Sequence, residues 1–156
     1  MKMKIKLIAV GKLKGPLWRD AYLYYRRMLG RYCLLKEVIV KDEGKGGSPR
    51  ERIEKEGKKI LARIGNGDLV IPLDERGVLL SSEEFAKKMT QWVECRSLSP
   101  CFVIGGSHGL SPAVKERAHF ILSLGKMTFP HEMVRVILLE QLYRAQCILH
   151  HHPYHH

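Results

Sequence analysis

Apolar residues along this chain alternate between short unbroken runs and longer stretches in which they recur every three or four positions. The runs predict strands at Lys4–Val10, Glu37–Val40, Asp68–Leu73, Cys101–Ile104 and Phe120–Leu124. The spaced stretches predict helices at Trp18–Leu29, from Pro49 to about Ile64, from Ser81 to about Cys95, at Pro112–His119 and at Met133–Leu149. This alternation predicts an α/β fold with a mainly parallel sheet and helices on both faces.

Capping and turn residues support several of these boundaries. Ser48 before Pro49 is typical of a helix start, and Ser81 with Glu84 has the spacing of a capping box. Asp74–Gly77 predicts a turn after the third strand, and residues 41–49 predict a flexible polar loop. Because no repeat or composition break divides the chain, we expect one domain over residues 1–156.

The last predicted helix, Met133–Leu149, is apolar on nearly all sides. A helix of this kind is buried on more than one face. A domain of this size has little room for such burial within one chain, so the pattern predicts a homodimer interface.

Positive charge is concentrated at one end of the chain. The net charge is +11, with 17 basic and 7 acidic residues in 1–60 against 10 and 9 in 61–156. Such a surface is typical of a protein that binds a polyanion, most often nucleic acid. Lysines and arginines that only solvate helix faces are the alternative, and charge alone does not decide between the two.

Several classes of protein do not fit the composition. No charge-free apolar run approaches about 18 residues, so we expect no membrane span. The basic and apolar N-terminus is interrupted by Lys12 and Lys14, which favours a first strand over a signal peptide. The four scattered cysteines, Cys33, Cys95, Cys101 and Cys147, lack metal-site spacing. We therefore expect reduced cysteines, no metal and a cytoplasmic location.

Two loops that follow predicted strands are candidates for binding a ligand. The first, Gly105–Gly109, matches neither the dinucleotide fingerprint nor a Walker A loop, and alone it is typical of a plain tight turn. The second is Leu124–Pro130, and residues 73–77 leave a third strand. Loops at the carboxyl ends of parallel strands lie together, so these three segments predict a ligand pocket.

Three ordered motifs give the chain a resemblance to a known family. They are Ile104-Gly105-Gly106-Ser107-x-Gly109-Leu110-Ser111, Lys126–His131 and Glu140–Ala145, and Leu7–Leu13 and His152–His155 fit as well. The chain resembles, over its whole length, the large-subunit ribosomal RNA pseudouridine N3-methyltransferases of the SPOUT class. The resemblance implies a C-terminal trefoil knot, a homodimer and the cofactor S-adenosyl-L-methionine.

The resemblance also implies which residues hold the cofactor. Matching the motifs residue by residue gives Leu73, Gly105, Leu124, Gly125, Lys126, Met127, Thr128 and Phe129. Glycines let the main chain approach a ligand closely, and apolar walls suit an adenine ring. His108 receives no role, because main-chain groups do much of the binding in such a loop.

The implied reaction moves a methyl group from a sulfonium to N3 of a pseudouridine, a weakly acidic imide that requires help in losing its proton. The candidate catalytic residues are Glu140, Arg144, Tyr154 and His155; His131 is a further candidate base and, with Arg135, a candidate RNA contact. Tyr154 suits stacking on the base. Glu140 has an alternative role as an i, i+4 salt bridge to Arg144. We expect the tail, residues 152–155, to complete an active site, in its own subunit or in the partner.

The histidine-rich tail has two further interpretations, a purification-tag remnant and a metal site, but Pro153-Tyr154 interrupts the run and a flexible tail defines no metal geometry.

Taken together, the residues and the resemblance imply a dimeric methyltransferase that acts on pseudouridine in large-subunit ribosomal RNA, on the assembled ribosome. A non-catalytic ribosome- or RNA-associated binding protein with a basic face is the alternative. A nicotinamide-dependent oxidoreductase is disfavoured by the missing fingerprint.

Overall fold

The computed structural model describes residues 1–156, apart from the side chains of Cys95 and Arg96. Strands and helices alternate along the chain. The strands are β1 (Met3–Val10), β2 (Cys33–Val40), β3 (Asp68–Leu79), β4 (Ser99–Ile104) and β5 (Leu122–Ser123), and the helices are α1 (Pro16–Leu29), α2 (Pro49–Leu61), α3 (Ser82–Arg96), α4 (Pro112–Glu116) and α5 (His131–Leu149). The predicted α/β class is confirmed.

The five strands form one sheet in the order β2-β1-β4-β3-β5, and every neighbouring pair is parallel. β1 pairs with β2 over its whole length, from Met3 opposite Cys33 to Val10 opposite Val40. Because all strands run the same way, the segments that follow them meet at one edge of the sheet, its carboxyl edge.

Each face of the sheet carries its own hydrophobic core. Ile5, Leu7 and Ala9 of β1 pack with buried residues of α1, α3 and α5, whereas Ile8 and Val10 pack with residues of α2 and α4. Successive side chains of a strand point to opposite faces, so β1 needs apolar residues at all of these positions. The predicted cover of helices on both faces is therefore confirmed.

Two predicted helix starts, at Ser48-Pro49 and at Ser81, are confirmed in their capping contacts, whereas α1 and α5 each begin two residues earlier than predicted. The Ser48 side chain accepts a hydrogen bond from the amide of Glu51 at 3.2 Å. Ser81 and Glu84 form the full capping box, with Ser81 Oγ accepting from the Glu84 amide at 3.1 Å and Glu84 Oε2 accepting from the Ser81 amide at 2.6 Å. These caps satisfy amides that the first helical turn leaves unpaired.

Several predicted boundaries are wrong. β2 begins at Cys33 rather than at Glu37, because Cys33–Lys36 pair with the first half of β1. Leu34 in this part of the strand is 53% exposed, so the pairing does not depend on its burial. β3 continues through the predicted turn at Asp74–Gly77, where Leu73 and Val78 both lie opposite Leu122 and the residues between them form a bulge. β5 is only two residues long, and α4 ends at Glu116.

The segment before β5 is held against β3 by main-chain hydrogen bonds. The amide of His119 donates to the carbonyl of Val70 at 2.9 Å, and the amide of Val78 donates to the carbonyl of Ile121 at 2.8 Å. A Cβ atom on Gly77 would lie 2.6 Å from that same Ile121 oxygen. This close crossing fixes where the loop after β5 leaves the sheet. The knot and the single-domain division remain predictions.

Candidate functional site

A pocket opens at the carboxyl edge of the sheet, with a cavity volume of about 710 Å³. Its walls come from the bulge of β3, from the segments after β4 and β5, from Lys115 of α4 and from the first turn of α5. The lining residues are Leu73, Asp74, Glu75, Arg76, Ile104, Gly105, Gly106, Ser107, His108, Gly109, Leu110, Lys115, Leu124, Gly125, Met127, Thr128, Phe129, Pro130, His131 and Val134. The three loops that the sequence singled out therefore meet in one site of a size that suits a small molecule.

The glycine loop, Gly105–Gly109, folds back on itself at the end of β4. The amide of Gly109 donates to the carbonyl of Gly106 at 3.1 Å, and Gly109 has a φ of 87°. A Cβ on Gly105 would lie 2.6 Å from the carbonyl oxygen of Gly109, a distance that two such atoms do not adopt. Only glycine fits at position 105, and its absent side chain leaves main-chain atoms to form this wall of the pocket.

The second loop, Leu124–Pro130, is tied to the bulge of β3. Ser123 Oγ lies 3.2 Å from the carbonyl oxygen of Glu75 and accepts from the amide of Gly125 at 3.1 Å. The Thr128 hydroxyl donates to the Glu75 carboxylate at 2.8 Å. Two sides of the pocket are thus linked by hydrogen bonds, which hold them at a fixed separation.

Two of the charged side chains in the pocket wall form an ion pair with each other, whereas a third is unpaired. Lys115 and Asp74 form an ion pair at 2.6 Å. Burial raises the pKa of Asp74, but the hydrogen bonds from Lys115 and from the Arg76 amide outweigh it, and the pKa lies below its ordinary value. Arg76 is exposed and has no ion pair in the described part of the chain. It therefore leaves a positive charge at the mouth of the pocket.

His131 lies at the start of α5 and lines the pocket. Burial lowers the pKa of its imidazole below 6.5, and the nearby guanidinium of Arg135 lowers it further. The ring is therefore mainly neutral near pH 7 and has a lone pair with which to accept a proton.

Arg135 lies one turn further along α5 and is 2% exposed. Its guanidinium donates to the carbonyls of Val10 and Gly11 at the end of β1. Burial lowers the pKa of Arg135 from its ordinary value. The guanidinium thus joins the last helix to the first strand, and its predicted contact with RNA remains a prediction that this placement does not support.

Of the eight residues predicted to hold a cofactor, seven line the pocket: Leu73, Gly105, Leu124, Gly125, Met127, Thr128 and Phe129. Lys126 belongs to the same loop but is exposed and is not part of the lining. The cofactor roles of all eight remain predictions. What the structure establishes is that seven of them share one cavity.

The candidate catalytic residues assemble elsewhere, in what we call the C-terminal cluster: Glu140, Arg144, Tyr154 and His155. Arg144 pairs with Glu140 at 2.6 Å, and the Tyr154 hydroxyl donates to the same carboxylate oxygen at 3.1 Å. The guanidinium of Arg144 lies over the Tyr154 ring, 4.7 Å from its centre. The predicted i, i+4 ion pair is therefore present.

His155 fixes the chain terminus to this cluster. Its Nδ1 lies 3.1 Å from a nitrogen of Arg144, and its Nε2 lies 2.8 Å from a carboxylate oxygen of Glu83 on α3. Burial, followed by the nearby Glu140 carboxylate, raises the pKa of Tyr154 to about 12. The tyrosine hydroxyl is thus protonated at neutral pH and acts as a donor.

None of the four residues of the C-terminal cluster lines the described pocket. His131 does, and Glu140 lies nine residues further along the same helix, which corresponds to about 14 Å of axial rise. Within one chain, the pocket and the cluster are therefore separate.

Sequence reasoning missed some of the lining. Lys115 and Val134 lie on helices, and their orientation toward the pocket depends on how α4 and α5 pack rather than on a motif. Glu75 was included only as part of the 73–77 segment, but it forms the hydrogen bond that joins two loops.

The described residues contain no group of three or more histidine, cysteine or acidic side chains arranged to hold a metal ion. Among them, no helix is long and apolar enough to cross a membrane. Cys33, Cys101 and Cys147 are buried free thiols, as predicted, and the side chain of Cys95 lies outside the described residues.

Comparison with known proteins gives concordant matches. A family model described as "Predicted SPOUT methyltransferase" matches residues 3–155. A protein of Maridesulfovibrio salexigens named ribosomal RNA large subunit methyltransferase H is 48% identical over 153 residues, which cover 98% of each chain. A protein of the same name from Streptococcus thermophilus is 42% identical over 158 residues, covering 98% of this chain and 99% of that one.

A solved structure shares the fold at low sequence identity. It is a probable methylase family protein from Haemophilus influenzae, with a TM-score of 0.56 and 14% identity, and the match covers 97% of this chain and 70% of the other. At this identity the likeness concerns the fold alone.

Proposed function

Because this chain belongs to the SPOUT methyltransferase family, we propose that it methylates N3 of a pseudouridine in large-subunit ribosomal RNA, on the assembled ribosome. The methyl donor is S-adenosyl-L-methionine. The observation that carries the proposal is the convergence of the glycine loop and the second loop on one pocket. The relatives named for large-subunit ribosomal RNA methylation, at 42–48% identity over nearly the whole chain, support the substrate class.

The pocket suits this cofactor in its chemistry. Its walls combine apolar side chains, such as Leu110 and Phe129, with main-chain groups of the two loops. Apolar surfaces favour an adenine ring, and main-chain donors and acceptors fix its orientation. Arg76 supplies a positive charge at the mouth of the pocket, where it would pair with the carboxylate of the cofactor. We assign Leu73, Gly105, Leu124, Gly125, Lys126, Met127, Thr128 and Phe129 to cofactor binding.

When bound, the cofactor supplies an electrophilic methyl group. Transfer of that group to N3 would form the N3–CH₃ bond at the expense of the S–CH₃ bond and would release the N3 proton. His131 lines the pocket and is neutral near pH 7, so it is placed to accept that proton. The positive charge of Arg144 would stabilise the anion of the imide as the proton leaves.

We infer that the enzyme is a homodimer in which the C-terminal cluster serves the partner subunit's pocket. The cluster does not reach the pocket of its own chain, although its residues fit the reaction. Leu17 and Tyr24 on α1 are 70% and 51% exposed, and several apolar residues of α5 are only half-buried. An apolar surface of this kind is typical of a dimer interface.

Mass spectrometry of ribosomal RNA tests the proposal. RNA from cells that lack this protein should have lost one N3-methylpseudouridine in the large-subunit RNA, and adding the purified protein with labelled S-adenosyl-L-methionine should restore it. Comparing purified subunits with protein-free RNA tests the requirement for an assembled ribosome. An unchanged modification pattern in the deleted strain would refute the assignment.

A further inference from the structure

We propose that four exposed lysines at the carboxyl edge of the sheet, Lys12, Lys14, Lys41 and Lys45, bind the phosphate backbone of the substrate RNA beside the pocket. We call this surface the basic rim. The inference rests on the proposed function, because it assigns the surface on which that RNA lies.

The two segments of the basic rim follow neighbouring strands and lie at the edge that carries the pocket. Lys12 and Lys14 follow β1, whereas Lys41 and Lys45 follow β2. The amide of Gly11 donates to the carbonyl of Val40 at 2.8 Å, which joins the two segments where they leave the sheet. The four lysines therefore belong to one surface.

A hydrogen bond places the basic rim next to the pocket. The amide of Lys14 donates to the carboxylate of Glu132 at 2.7 Å. Glu132 is the neighbour of His131, whose side chain lines the pocket. The electrostatic influence of Lys14 reaches the His131 imidazole, where it contributes to lowering the pKa after burial and Arg135. A strand of RNA on the rim would thus pass the mouth of the pocket.

The lysines of the basic rim are available to a ligand. All four are exposed, and none of their ammonium groups forms an ion pair with a described residue. The acidic groups nearby are engaged in holding the segments in place. Asp42 accepts from the amide of Gly44 at 2.8 Å, Glu43 pairs with Lys59, and Glu132 accepts from Lys14 as described.

Several other basic groups of the N-terminal half are less available, because they are ion-paired. Lys6 pairs with Asp68, Arg26 pairs with Glu37, and Arg50 pairs with Glu54. Arg135, the arginine predicted to contact RNA, is buried against β1. At the edge that carries the pocket, the unpaired positive charges of the described residues therefore lie on the rim and on Arg76 and Lys126 of the neighbouring pocket segments.

Lysine side chains are suited to phosphate rather than to base recognition. Each supplies a point charge on a flexible stem, without the planar geometry that reads a base edge. Contacts to phosphates position a nucleic acid and contribute sequence-independent, salt-sensitive affinity. The rim is thus expected to orient the RNA, whereas the pocket and the C-terminal cluster select the nucleotide.

Two matched triple variants of the full-length protein test the inference. The first is Lys12→Gln, Lys41→Gln and Lys45→Gln on the rim. The control is Lys4→Gln, Lys36→Gln and Lys58→Gln. These three exposed lysines lie away from the carboxyl edge, in the first half of β1, in the first half of β2 and in the last turn of α2. Both variants lose the same charge, and equal thermal midpoints would show that both remain folded.

Binding is measured on large ribosomal subunits from cells that lack this protein, at several salt concentrations. The rim variant is expected to bind about tenfold more weakly at 0.1 M salt and to reduce the slope of log K against log salt by about 2, as expected for the loss of three phosphate contacts. The control variant should bind within about twofold of the unaltered protein. The affinity for S-adenosyl-L-methionine, measured by calorimetry, should be unchanged in both.

An equal loss of binding in the two variants, or an unchanged rim variant, would overturn the basic rim. Failure of the proposed function would look different, because the unaltered protein would then transfer no methyl group to the subunits. Binding to the subunits is measured without methyl transfer. It therefore tests the role of the basic rim whether or not the protein is a methyltransferase for this RNA.

Discussion

The pocket and the C-terminal cluster are built from different parts of the polypeptide. The pocket is shaped by main-chain turns, and its tightest position, Gly105, has no side chain. The cluster is made from charged and aromatic side chains that hold one another, with Glu140 accepting from both Arg144 and Tyr154. The pocket should therefore be sensitive to added volume, and the cluster should be sensitive to a change of charge.

The largest expected effect is that of Gly105→Val on the pocket. Its added carbons would overlap the carbonyl of Gly109, so the glycine loop must move and the pocket loses its shape. We expect the affinity for S-adenosyl-L-methionine to fall by about 100-fold or more, and the free energy of unfolding to fall by about 1–3 kcal/mol, as in other overpacked sites. Calorimetry and urea unfolding measure the two effects.

Gly46→Val is the matched control for that prediction. Gly46 has no atom within 4 Å of the position that a Cβ would occupy, and its φ is not positive. Cofactor affinity should be unchanged in this variant. If Gly105→Val bound the cofactor as tightly as the unaltered protein, the glycine loop would not form the binding wall.

The second effect in size is that of Glu140→Gln on the cluster. The substitution keeps the shape of the side chain but removes the charge that orients Arg144 and Tyr154. We expect kcat to fall on the order of 100-fold, because Arg144 is no longer held where it would stabilise the imide anion, with little change in cofactor affinity. Glu116→Gln, an exposed position on α4, should leave kcat unchanged.

Mixing the two defective chains sharpens the comparison between the regions. In a dimer of Gly105→Val and Glu140→Gln chains, one pocket is intact and would receive an intact C-terminal cluster from the partner. Activity should return to a substantial fraction of the normal rate, although each variant alone is nearly inactive. No recovery from dimers shown to contain both chains would mean that each pocket uses the cluster of its own chain.

The smallest expected effect concerns Glu56, which lies beneath the glycine loop. Burial raises the pKa of this carboxyl above its ordinary value of 4.5, and the nearby Asp42 raises it further. The folded state thus favours the protonated form. Protonated Glu56 therefore adds to the free energy of unfolding. This contribution is fully present below pH 4.5 and is lost as the pH rises through the folded-state pKa of Glu56.

Glu56→Gln, which cannot ionise, should therefore be more stable than the unaltered protein at pH 8, and the difference should shrink toward pH 4.5. Urea unfolding at both pH values measures this difference. Glu54→Gln, on the exposed side of the same helix, is the control and should show no such dependence. A Glu56→Gln protein that is less stable at pH 8 would show that the charged form is favoured.

Much of the fold could be predicted from the sequence because local rules and tertiary structure agree in most places. The caps Ser48 and Ser81 act as their spacing indicates. The errors occur where pairing partners decide the structure. The start of β2 depends on β1, and the bulge in β3 depends on β5, so no local pattern could reveal either.

The candidate site was predictable in its main-chain parts and less so in its side chains. Gly105 and the Leu124–Pro130 loop stand out in the sequence because glycines and prolines mark turns. The burial of Arg135 has no local signal, since an arginine on an apolar helix suits a ligand contact and a structural contact equally well. Its partners are carbonyls about 125 residues away.

The strand order has a consequence for the way the protein is made. β4 lies between β1 and β3, so the two halves of the sheet have no direct contact until residues 99–104 have been synthesised. Until then β1 can pair with β2, but the main-chain groups along its other edge have no partner strand, and β1 is apolar on both faces. Open edges of this kind recruit foreign strands, so the growing chain should depend most on chaperones just before β4 emerges.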